Sequence, residues 1–152
     1  MKLLITGKPG SGKTTLLKQM LSSYKRPKRG FLTEEIRENS SRVGFKIITD
    51  KGKEALLASK KLPSERKHGS YYVHIAEFEE LITSLFDFTE NDLLYIDEIG
   101  PMELFSEKFK ELVKLYMEAE NDFIGTIKLD SDDQFIKRIK GNAAITIVEI
   151  KR

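Results

Sequence analysis

The chain contains no cysteine, which excludes disulfides, thiolate metal sites and thiol nucleophiles. Its two histidines, His68 and His74, lack the spacing of a metal-ligand pair. No apolar run approaches the roughly 20 residues a helix needs to cross a bilayer. No small-residue cleavage pattern follows Met1 to Thr6, so this stretch reads as a strand of the fold rather than a signal peptide. The expectation is a cytoplasmic protein without a membrane partner. A charge excess is missing as well, since 26 Lys and Arg stand against 24 Asp and Glu for a net +2. Nucleic-acid binding domains are usually strongly basic, so the composition makes no case for a nucleic-acid partner. Repeats, low-complexity tracts and long linkers are absent too. The 152 residues are enough for one core and too few for two, and one domain over 1–152 is expected. Glutamine occurs only at Gln19 and Gln134, while charged residues, mostly Lys and Glu, make up 33% of the chain. Hyperthermophile proteins lean the same way, and a melting midpoint above the mesophile range is the expectation.

What is present alternates between two periodicities. Met1 to Thr6 is a short apolar run ending in a glycine-rich loop, the pattern of a buried strand. Leu16, Leu17, Met20, Leu21 and Tyr24 then recur at helical spacing until Lys25 to Gly30, with Pro27, breaks it. Phe31 to Arg37 and Val43 to Thr49 flank the turn-like Asn39-Ser40-Ser41, and Asp50-Lys51-Gly52 leads into Glu54 to Ala58. Connections this short favour antiparallel hairpins, because a parallel crossover needs about a dozen residues. Lys60 to Ser70 reads as a basic loop and Tyr71 to Ile75 as a strand. Phe78, Leu81, Ile82, Leu85 and Phe86 line one helical face, and Leu93 to Ile96 is a buried strand ending at Asp97. Ser106 suits an N-cap ahead of Phe109, Leu112, Val113 and Tyr116. Two more strands, Asp122 to Ile127 and Ala144 to Ile150, enclose a short helix around Gln134 to Ile139. The fold class is α/β: a mainly parallel sheet flanked by helices, with an antiparallel β-meander extending one edge.

Gly7-Lys8-Pro9-Gly10-Ser11-Gly12-Lys13-Thr14 matches G-x-x-x-x-G-K-[ST] in full. Glycines allow successive N–H groups to curl around phosphates without Cβ clashes, and the helix that starts here adds its free amides and positive dipole end. Lys13 is placed for the β- and γ-phosphates and the Thr14 hydroxyl for Mg²⁺. The loop follows a strand and precedes an amphipathic helix, as the mechanism requires. A nucleoside triphosphate (ATP, GTP or another) is the expected ligand, with Mg²⁺ as cofactor. The second signal is Leu93-Leu94-Tyr95-Ile96-Asp97-Glu98, an apolar strand ending in two carboxylates. Asp97 is the candidate for the metal's shell, with Thr14. Glu98 is the candidate general base toward water, and Gly100 lets the backbone pass close to the nucleotide.

Three longer stretches carry a resemblance. Gly30-Phe31-Leu32-Thr33-Glu34-Glu35-Ile36-Arg37, Arg42-Val43-Gly44-Phe45-Lys46-Ile47-Ile48 and Asp97-Glu98-Ile99-Gly100-Pro101-Met102-Glu103-Leu104-Phe105-Ser106 resemble the archaeal–bacterial–vertebrate nucleoside-triphosphatase family, often called the THEP-type or cancer-related NTPases. The resemblance runs from the first strand to Gly125-Thr126-Ile127. It implies a RecA-like P-loop sheet decorated by antiparallel strands, and a slow, magnesium-dependent NTPase of broad base tolerance that releases diphosphate and phosphate. By position it carries the nucleotide site onto Gly7 through Thr14 and onto Asp97 to Pro101, and it places Thr33 to Arg37 near the phosphates. Family members often continue past the last strand, where loops and helices shape the base pocket, so the resemblance leaves the way the base is held open.

Weaker signals have competing readings. Arg37 is a candidate catalytic arginine toward the transferring phosphoryl group, or else a salt-bridged strand residue. Arg29, Arg66 and Arg138 are further candidates that sequence cannot rank. Ile127-Lys128-Leu129-Asp130 resembles the guanine-reading N-K-x-D without its Asn, and solvated loop residues are the simpler reading. The basic stretches Lys25 to Arg29 and Lys60 to His68 lack interleaved aromatics and read as solvated loops. One ring of Tyr71-Tyr72 is expected in the core. Two functions compete with hydrolysis: a nucleotide or small-molecule kinase, and a nucleotide-dependent switch regulated by a protein partner the sequence does not name. Glu98 after Asp97 fits water as the acceptor, so hydrolysis leads.

Overall fold

The computed structural model describes residues 1–151; Arg152, the last residue of the expected domain, lies outside them. Three runs of mostly aliphatic residues form β1 (Lys2–Gly7), β7 (Leu93–Ile99) and β8 (Phe123–Ile127), each buried along most of its length. Burial on both faces is what a parallel sheet covered by helices demands. With β2 (Lys28–Glu38) and β9 (Ile145–Ile150) they make the parallel half of the sheet. The antiparallel half is β3 (Ser41–Thr49), β4 (Glu54–Ser59), β5 (Arg66–His68) and β6 (Tyr71–Val73). The nine strands run β5-β6-β4-β3-β2-β7-β8-β1-β9. Strand β8 therefore lies between the strand leading into the glycine loop and the strand bearing the acidic pair.

Successive side chains of a strand point to opposite faces, and the core divides accordingly. Ile5, Tyr95 and Ile124 pack with Leu17 and Leu21 of α1 (Lys13–Ser22). Their strand neighbours Leu4, Leu94, Ile96 and Phe123 turn to the other face. There they meet α2 (Ile75–Ile82), α3 (Glu107–Glu118) and α4 (Gln134–Lys140). Phe31, Phe78 and Phe109 form an aromatic cluster on this larger side, with ring centroids 5.5 to 6.1 Å apart. Strands β2 and β7 approach so closely that a Cβ on Gly30 would lie 1.9 Å from the Tyr95 carbonyl oxygen. Only glycine fits there.

The α/β layout with an antiparallel addition agrees with the expectation, and several boundaries move. The turn contracts to Asn39 and Ser40, both at positive φ (50° and 69°), the two-residue form that matches strand twist; Ser41 opens β3. Strand β2 begins at Lys28, inside the stretch read as a helix break, because Lys28 to Phe31 pair with Leu93 to Ile96. The basic loop contains a strand: Arg66 to His68 pair with Tyr71 to Val73. That short hairpin is exposed on β5 and carries no apolar alternation to announce it. Ile75 belongs to α2 rather than to the preceding strand, and the last turn of that helical face, Thr83–Phe86, tightens to 3₁₀ geometry. Tyr71 is the buried ring of its pair. No described helix is long and apolar enough to cross a membrane.

Candidate active site

In parallel sheets ligands bind beyond the carboxyl ends of the strands, and here those ends bring the two sequence signals together. Gly7 ends β1 and Lys13 opens α1. Between them the chain curls back, with the Ser11 amide donating to the Lys8 carbonyl at 3.0 Å. Gly12 holds the turn at φ 98°, a left-handed conformation that suits glycine. Its carbonyl accepts the first helical bond, from the Leu16 amide at 2.9 Å.

Asp97 is the hub opposite the loop. Its Oδ1 accepts from the Thr126 hydroxyl at 2.8 Å. Its Oδ2 accepts from the Thr14 hydroxyl at 3.0 Å and from the Thr33 amide at 3.2 Å. The Thr33 hydroxyl also donates to the Asp97 carbonyl. Four elements, α1, β2, β7 and β8, are thus tied through one carboxylate. Burial raises its pKa, opposed by the bonds from Thr126, Thr33 and Thr14.

Glu98 follows, across a cis peptide bond. Its Oε2 lies 2.9 Å from Lys13 Nζ, the two side chains 27% and 14% exposed, so the lysine and the acid form a half-buried ion pair at the mouth of the loop. A Cβ on Gly100 would lie 2.9 Å from Glu98 Oε1 and 3.2 Å from Glu103 Oε1. Glu103 is itself buried, and its carboxyl is held well above the usual carboxylate range by burial and then by the charges of Glu98 and Asp97.

These groups share a cavity of about 520 Å³, which also contains Pro9, Gly10, Gly12, Thr33, Glu35, Arg42 and Lys128 in its wall. Of the expected site residues, Lys13, Thr14, Asp97 and Glu98 converge there. Pro9, Gly10 and Gly12 line it with them, whereas Gly7, Lys8, Ser11 and Gly100 do not reach its wall. Arg37 stands apart: its side chain is 55% exposed, its guanidinium paired with Glu35 at 3.0 Å and donating to the Ser40 carbonyl. Arg29 ties Asp50 to the carbonyls of Ser84 and Asp87, Arg66 is exposed on β5, and Arg138 lines a different cleft between α3 and α4. Lys128 faces the cavity while Asp130 is exposed. His74 is buried, its Nε2 3.0 Å from the Leu62 carbonyl. Sequence reasoning passed over Thr126, Arg42 and Glu103 as individual site residues; only the resemblance, which spans all three, pointed at their segments.

The comparisons with known proteins bear on this geometry directly. Residues 2–152 match the NTPase family model. The chain belongs to the THEP1 nucleoside-triphosphatase family. Nucleoside-triphosphatase THEP1 of Thermotoga maritima is 47% identical over 152 residues, covering 99% of this chain and 86% of that protein. Aquifex aeolicus THEP1 is 38% identical over 160 residues. Its crystal structure superposes with a TM-score of 0.86, covering 99% of this chain and 90% of that one. The solution structure of a human cancer-related nucleoside triphosphatase follows at 30% identity and TM-score 0.79, covering 99% and 89%. The THEP1 fold is thus the P-loop sheet with its antiparallel addition described above.

Proposed function

We propose that this THEP1 family member hydrolyses nucleoside triphosphates to the diphosphate and phosphate, with broad tolerance for the base and slow turnover. The observation that carries the reading is the Lys13–Glu98 pair, 2.9 Å, set beside the Thr14–Asp97 contact of 3.0 Å. One places a cation for the β- and γ-phosphates next to a carboxylate able to take a proton. The other sets a hydroxyl and a carboxylate side by side, the hard oxygen donors that magnesium prefers. P-loop enzymes typically use Mg²⁺, which when bound neutralises charge on the β- and γ-oxygens; Thr14 would hold it directly and Asp97 through its water shell.

The chain's own residues do the rest. The loop amides and Lys13 hold the phosphates and take up charge as the terminal phosphoryl group transfers. Glu98 orients a water in line with the γ-phosphorus and accepts its proton. The new P–O bond forms as the bond to the β–γ bridging oxygen breaks, and the diphosphate leaves with that electron pair. Asp97 is positioned by Thr126, Thr33 and Thr14 and does not need to exchange a proton. Broad base tolerance is supported by where these contacts lie, all at the phosphate end of the ligand.

Phosphate release from ATP, GTP, CTP and UTP with Mg²⁺, at elevated temperature, tests the reading. Release from several nucleotides is expected. Glu98→Gln should lower it by ~10²- to 10⁴-fold, the worth of a general base, and Lys13→Ala should abolish it. Tight Mg²⁺-dependent binding without release, or full activity in Glu98→Gln, would count against the assignment.

A further inference from the structure

A second cation in the cavity wall has no part in the chemistry above. Arg42 lies on β3, opposite Arg37 across the β2–β3 ladder, just past an irregularity between Ile36 and Arg37. Its Nε donates to the Tyr71 hydroxyl at 2.9 Å. The guanidinium carbon stands 5.1 Å from the Phe45 ring centroid and 5.9 Å from that of Tyr71, and these two rings pack together with centroids 5.3 Å apart. Tyr71 is 8% exposed, so the group that fixes Arg42 is itself anchored in the core. Among the described residues Arg42 makes no ion pair. The nearest acid in the cavity wall by register is Glu35, opposite Phe45, and Arg37 occupies its carboxylate through Nη2 at 3.0 Å. The remaining four N–H donors of Arg42, on its Nη atoms, are therefore left for a ligand, in the planar fork that suits a phosphoryl oxygen pair.

We propose that Arg42, held by Tyr71 and Phe45, is the arginine this chain presents to the terminal phosphoryl group, stabilising charge on it during transfer. Arg37 serves indirectly, by withdrawing the Glu35 carboxylate that would otherwise pair with Arg42. This rests on the hydrolysis reading. An arginine supplied within the same chain acts on the transition state more than on the ground state, so its loss lowers turnover while leaving diphosphate binding intact.

The test compares Arg42→Gln with wild type in two measurements. The first is single-turnover hydrolysis of Mg²⁺·ATP. The second is calorimetric binding of Mg²⁺·ADP with and without aluminium fluoride, the mimic of a phosphoryl group in transfer. Wild type should bind ADP more tightly with the fluoride. Arg42→Gln should bind ADP alone as wild type does, lose the gain from fluoride, and hydrolyse ~10³-fold more slowly, the low end for such an arginine. Tyr71→Phe should lose part of both effects, because the ring remains and only the Nε partner is gone. Arg42→Lys, which keeps the charge and not the fork, covers the case of a poorly folded glutamine variant and should also lose most of the fluoride gain. Retention of rate and fluoride gain in Arg42→Gln, whether or not Arg37→Gln loses them, would overturn the proposal. A wild type that neither releases phosphate nor responds to fluoride would instead sink the hydrolysis reading and this inference with it.

Discussion

Two carboxylates on either side of Gly100 show how position sets a side chain's role. Glu98 is half-buried and paired with Lys13. Glu103, five residues on, is 4% exposed and faces the charges of Glu98 and Asp97. Burial and these neighbours raise its pKa, so the folded state binds a proton that the unfolded chain releases. Its contribution to stability is then fully present below the unfolded value of about 4.3 and lost as pH rises through the folded-state pKa. Glu103→Gln removes this cost. In thermal melts of the nucleotide-free protein the variant should match wild type or fall below it at pH 4 and gain on it steadily toward pH 8; parallel curves across that range would show that Glu103 does not titrate differently in the two states. None of this was legible in the sequence. The glycine loop and Asp97-Glu98 announce themselves because their spacing encodes their chemistry. Glu103 acquires its character from burial and Arg42 from a distant partner, Tyr71, which no local pattern records.

At the scale of elements, the long periodic segments were legible and the short irregular ones were not. Helix α3 shows why. Its apolar residues Phe109, Leu112, Val113 and Tyr116 are all buried, and its expected N-cap is realised: Ser106 Oγ accepts from the Phe109 amide at 3.0 Å. The same hydroxyl donates to Glu79 of α2, so one side chain both starts α3 and docks it on its neighbour. Ser106→Ala should cost about 0.5 to 2 kcal/mol by denaturant unfolding, the range for losing a cap. Glu79→Ala, which spares the cap, should cost less; equal losses would place the effect in the docking contact instead. Strand β5 went unread because its three residues, Arg66-Lys67-His68, are all exposed and polar and show no apolar alternation. In β7 the sequence suggested a strand that ends at Asp97, whereas pairing resumes at Ile99 with Ile127 beyond an irregularity, which sets the acidic pair inside the sheet edge rather than past it.

For the whole molecule, the strand order decides where chemistry can happen. Because β8 separates β1 from β7, the strands that lead to the loop and bear the acidic pair lie two strand spacings apart, roughly 9 to 10 Å. Thr126 from β8 holds Asp97 within that interval. The parallel-core expectation followed from alternating helix and strand patterns, but the order of the strands did not, since parallel neighbours are joined through crossovers whose destination no local signal marks. The antiparallel strands β3 to β6 are inserted between β2 and β7 in the chain, although those two strands are neighbours in the sheet. They bring Arg42 and Phe45 into the wall of the cavity that α1's first turn also lines.

The order of events in assembly follows from β1. Both sheet neighbours of β1 come from residues 123–150, and the Thr6 hydroxyl bonds the Ile127 carbonyl across 121 positions of chain. Strand β1 therefore waits for strands more than a hundred residues further along the chain before it has a sheet to join. Distant pairings of this kind are slow to close, so a fluorescent nucleotide added during refolding should bind only in the final kinetic phase, after most helical signal has returned. A chain in mid-synthesis would carry the complete glycine loop and yet be unable to hold its nucleotide.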